Sequence, residues 1–127
     1  HIDLVGRAIS DRDAEIAFSC LPNLKSMNIS IVEGEYGNNG IGPLGAASIA
    51  KHLKGLTNLD ICKVLDYLAD NSLGDDGAMI LGKGLTNLKS LTMRKQYDNS
   101  AENNISKECA AWFVKNMKGT EVVCRSD

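Results

Sequence analysis

The chain has 127 residues, of which 43% are hydrophobic but only 5% aromatic. This is the size of a single domain, with a core resting on aliphatic side chains. A formal net charge of −2 argues against nucleic acid or an anionic membrane surface as the main partner. No apolar run approaches the roughly 20 residues that cross a bilayer, so membrane insertion is not expected.

Residues 1–5, HIDLV, place Ile2 and Leu4 in alternation and predict a strand. A strand there would leave its pairing edge open, which implies either residues upstream or a partner chain covering it. Ser10-Asp-Arg-Asp13 predicts the start of a first helix over about 11–20, because a capping hydroxyl and early acids suit the free N–H groups and the dipole. Leu24-x-x-Met27-x-Ile29 then ends in the apolar alternation of a strand. Pro43 predicts the first turn of a second helix. The next strands are read at Leu59-x-x-Cys62-x-Val64 and at Leu88-x-x-Leu91-x-Met93. Between them a third helix begins near Asp75-Asp76, and a fourth follows Ser106 with Trp112 and Phe113 in its body. Gly45 to Leu56 spans 11 residues where Gly77 to Leu85 spans 8, which predicts a second helix about one turn longer than the third.

The chain copies itself. Asn39, Asn71 and Asn103 are spaced by 32, and Ile41, Leu73 and Ile105 keep the same step, as do Ala46, Ala78 and Ala110. Ile9 and Ala14 extend the series backwards, and Gly55-Leu-Thr-Asn-Leu59 returns as Gly84-Leu-Thr-Asn-Leu88. Four copies fill the chain, and a period of this size marks units that bury their apolar face only against neighbours. Leu-x-x-Leu-x-Leu patterns, an Asn, and Ile/Leu-Gly-x-x-Gly-Ala opening a helix resemble the leucine-rich repeats of the ribonuclease-inhibitor type, also found in NOD-like receptors and RanGAP. The resemblance implies an α/β fold: a short right-handed solenoid of about four repeats, with a parallel sheet on the concave face and helices on the convex face. It covers 1–127 as a single leucine-rich-repeat domain, open to being a piece of a longer solenoid.

The implied function is recognition of a protein partner, as the sensing domain of a receptor or as a subunit of an assembly. The alternative is a regulator of a small GTPase, or an enzyme inhibitor. Outward strand positions predict the concave contact surface: Ser26, Asn28 and Ser30, then Ile61, Lys63 and Leu65, then Ser90, Thr92 and Arg94. Ile61 and Leu65 make an apolar strip flanked by cations, suited to a partner with apolar anchors and a few acids. The steps from Ile29 to Asn39, Val64 to Asn71 and Met93 to Asn103 are 10, 7 and 10, longer than the family pattern, and each enlarged loop holds a tyrosine. Tyr36, Tyr67 and Tyr97 therefore form a second candidate surface along one rim. Asn39, Asn71 and Asn103 are expected to be a structural ladder that satisfies backbone groups at each turn.

Catalysis has little support in the residues. His52 is expected on an outer solvated face, and neither His52 nor His1 has an evident nucleophile to serve. Gly40-x-Gly42-x-x-Gly45 matches a dinucleotide fingerprint, but Gly42 and Gly45 recur as Gly74 and Gly77 and belong to the repeat. No cofactor or metal is expected. Cys20, Cys62, Cys109 and Cys124 lack zinc spacing and predict buried free thiols in a reducing, intracellular compartment, with Cys20 and Cys109 on helices. The Asn28-Ile-Ser30 and Asn104-Ile-Ser106 sequons point the other way, towards secretion. No signal peptide is visible.

Overall fold

Met27, Leu59 and Leu91 sit side by side on neighbouring parallel strands, each 32 residues from the last, so the sequence period is also the strand register. The computed structural model describes residues 1–4, 7, 9–29, 41–61, 73–93 and 105–123. Strands and helices alternate: β1 (Ile2–Asp3), α1 (Asp11–Phe18), β2 (Ser26–Asn28), α2 (Pro43–His52), β3 (Asn58–Asp60), α3 (Gly74–Gly84), β4 (Ser90–Thr92), α4 (Lys107–Asn116) and β5 (Glu121–Val123). The five strands form one parallel sheet in sequence order. Parallel neighbours require a crossover, which the helices supply.

One core lies between sheet and helices. Met27, Ile29, Leu59, Ile61, Leu91 and Met93 enter it from the strands, and Ala14, Phe18, Ala46, Ile49, Ala78, Leu81 and Phe113 from the helices. Ile41, Leu73 and Ile105, the column expected from the period, are all buried in that core. The Gly-x-x-Gly-Ala motif has a steric reason. A Cβ on Gly77 would lie 2.8 Å from Leu73, and one on Gly45 3.0 Å from Ile41, so the second glycine lets each helix sit down on the aliphatic residue that precedes it. Gly84 and Ala50 bring α2 and α3 together in the same way, since a Cβ on Gly84 would lie 2.6 Å from that of Ala50.

Helix starts are satisfied both locally and across helices. Ser10 caps α1 in a reciprocal box with Asp13, whose carboxyl is held below its ordinary range by the Ser10 backbone N–H and then the Ser10 hydroxyl. Asp11, one residue into α1, caps the next helix instead: its Oδ1 accepts from the N–H groups of Gly42 at 2.9 Å and Gly45 at 2.8 Å. Asp75 repeats this on α4, accepting from the Ser106 hydroxyl and N–H, which lower its pKa. Between them the same column holds Pro43, whose side chain has no acceptor to offer.

Several expectations are corrected. The second helix is not the longer one: α2 has 10 residues and α3 has 11. Leu53, not Leu56, is the counterpart of Leu85, because both are fully buried and both donate their N–H to the carbonyl four residues back. The strand β3 accordingly lies at Asn58–Asp60, three residues earlier than Leu59-x-x-Cys62-x-Val64 implied. The helix expected to reach residue 20 ends at Phe18, leaving Cys20 in the following turn and exposed, while Cys109 on α4 is buried as expected. Cys62 and Cys124 fall outside the described residues.

Candidate functional site

The helices cover one side of the sheet, and alternate strand residues face the other. Two rows cross that face. Ser26, Asn58, Ser90 and Glu121 make the first, and Asn28, Asp60, Thr92 and Val123 the second. Between the rows runs the buried line Met27, Leu59 and Leu91. The face holds a shallow depression of ≈ 230 Å³ that includes Ser26, Asn58, Asp60, Ser90 and Thr92, with His1 at its end. His1 Nδ1 lies 2.9 Å from Ser26 Oγ, tying the start of β1 to β2. The chemistry on offer is that of hydroxyls, carboxamides and carboxylates spaced by neighbouring strands, at about 4.8 Å from one to the next.

Ser26, Asn28, Ser90 and Thr92 lie on this face, where the outward register placed them. Ile61 does not. It is 2% exposed and sits in the core beside Ile29 and Met93, its N–H donating to Thr92 O, so the expected apolar strip has no Ile61 in it. Ser30, Lys63, Leu65 and Arg94 lie outside the described residues, as do the loop tyrosines Tyr36, Tyr67 and Tyr97 and the ladder Asn39, Asn71 and Asn103. Asn58, Asp60 and Glu121 were missed. The signal for Asn58 was available, since it stands 32 residues after Ser26 and 32 before Ser90.

A second polar cluster joins α1 to α2 on their outer side. Glu15 accepts from Ser48 Oγ at 2.7 Å, and lies 2.9 Å from His52 Nε2 and 3.4 Å from Lys51 Nζ. His52 is therefore engaged with Glu15, its side chain 19% exposed, rather than standing on a solvated face. Hydrogen bonds from His52 and then Ser48 draw the Glu15 carboxyl down to about 2. Because the folded carboxyl holds its proton less tightly than the unfolded one, this cluster's contribution is complete above about 4.5 and is lost as the pH falls towards about 2. Glu15→Gln should therefore melt below the wild type at neutral pH, with the gap closing across that acid window. A gap that stays constant from neutral pH to the acid end would remove the carboxylate from the account.

The amides of Gly42 and Gly45, which a nucleotide phosphate would use, are already bonded to Asp11. Among the described residues no group of three or more His, Cys, Asp or Glu side chains could hold a metal ion. Nor is any described helix long and apolar enough to cross a membrane. Fold and site together define an α/β protein with a parallel sheet covered on one side and a polar face on the other. Comparison with known protein families, with curated proteins and with solved structures finds no match to this chain.

Proposed function

We propose that the chain is a short leucine-rich-repeat solenoid of the ribonuclease-inhibitor kind, and that it is a binding module rather than an enzyme. It recognises a protein partner through the sheet face and the enlarged loops that the sequence predicts around Tyr36, Tyr67 and Tyr97. The observation that carries this reading is the sheet face itself, a strand-spaced array of hydrogen-bonding groups from Ser26 to Thr92 that none of the described helices covers. The described part of that array is polar. A fitting partner brings donors and acceptors to the middle of the sheet and leaves apolar anchoring to other parts of the interface.

Ser90 lies in the middle of the array, and its substitution tests the reading. Ser90→Arg should leave the melting transition nearly in place, since half-exposed surface changes cost within about 0.5 kcal/mol, while filling the depression with a long cation. Leu44→Arg, at a position 74% exposed on α2, is the control on the helix side. In crosslinking and capture from the protein's own cell extract, partners held by the wild type should be kept by Leu44→Arg and lost by Ser90→Arg. Capture unchanged by Ser90→Arg, or lost equally in both variants, would overturn the assignment of the face.

A further inference from the structure

We draw no further inference here: the strongest candidate, the groove between α1 and α2 lined by Arg12, Glu15, Leu44, Ala47 and Lys51, sets an exposed leucine among charges of both signs, and nothing in the structure shows what covers it.

Discussion

Phe113→Ala should lower the unfolding free energy by about 3–5 kcal/mol, the cost of emptying a buried aromatic site. Phe113 is 1% exposed and its ring meets Trp112 edge-on, with centroids 5.1 Å apart. It also packs against the backbone of α3 at Gly82, where a Cβ would come within 2.6 Å of its ring. Backbone cannot swing into the space a side chain leaves, so the cavity would persist and its cost would fall in the upper part of the range. For a domain whose total stability is on the order of 5–15 kcal/mol, this is a large fraction. Denaturant titration followed by circular dichroism measures it directly. A loss under about 1 kcal/mol would mean that α4 is not docked on α3 through this ring.

The second large effect is expected at Ile61. Ile61→Ala should cost about 2–5 kcal/mol, because the side chain is 2% exposed in the row between Ile29 and Met93. Had it pointed outward, truncation would change stability by no more than about 0.5 kcal/mol. Ser90→Ala, from the other face of the sheet, supplies the comparison and should stay near that small value. Thermal melts of the two variants together decide the strand register, and equal shifts would refute it.

The register is also where reading the residues alone went astray, and the reason is instructive. Gly55-Leu-Thr-Asn-Leu59 and Gly84-Leu-Thr-Asn-Leu88 are identical, yet they occupy different places in the fold. In the first, Leu56 and Leu59 are buried, Asn58 opens β3, and Thr57 N–H donates to Lys25 O across the sheet. In the second, Gly84 ends α3, Leu85 caps it, and Thr86 and Asn87 form the turn before the next strand. Five shared residues are too short to dictate their own conformation. Pairing in a parallel ladder constrains every strand residue against its neighbour, so the 32-residue spacing of buried side chains prevailed over the local identity.

The interhelical caps were illegible for a related reason. Asp11 looked like one more acid in the first turn of its own helix, and nothing in the sequence says that its carboxylate satisfies Gly42 and Gly45 some thirty residues later. The same holds for Glu15, whose partners Ser48 and His52 stand on α2.

By itself the sequence determined the alternation and order of four strands and four helices, with helix starts near Ser10, Pro43, Asp75 and Ser106, and the period that sets the columns Ile41, Leu73 and Ile105, but not β5 at Glu121–Val123. Those depend on local capping chemistry and on apolar spacing, which are written in neighbouring residues. Only the tertiary structure decided which residues in and beside β3 face inward, that Ile61 belongs to the core while Asn58 and Asp60 belong to the open face, and that one helix caps the next. Those outcomes come from contacts between segments about 32 residues apart, where small shifts of one segment against another exchange the buried and the exposed side of a strand.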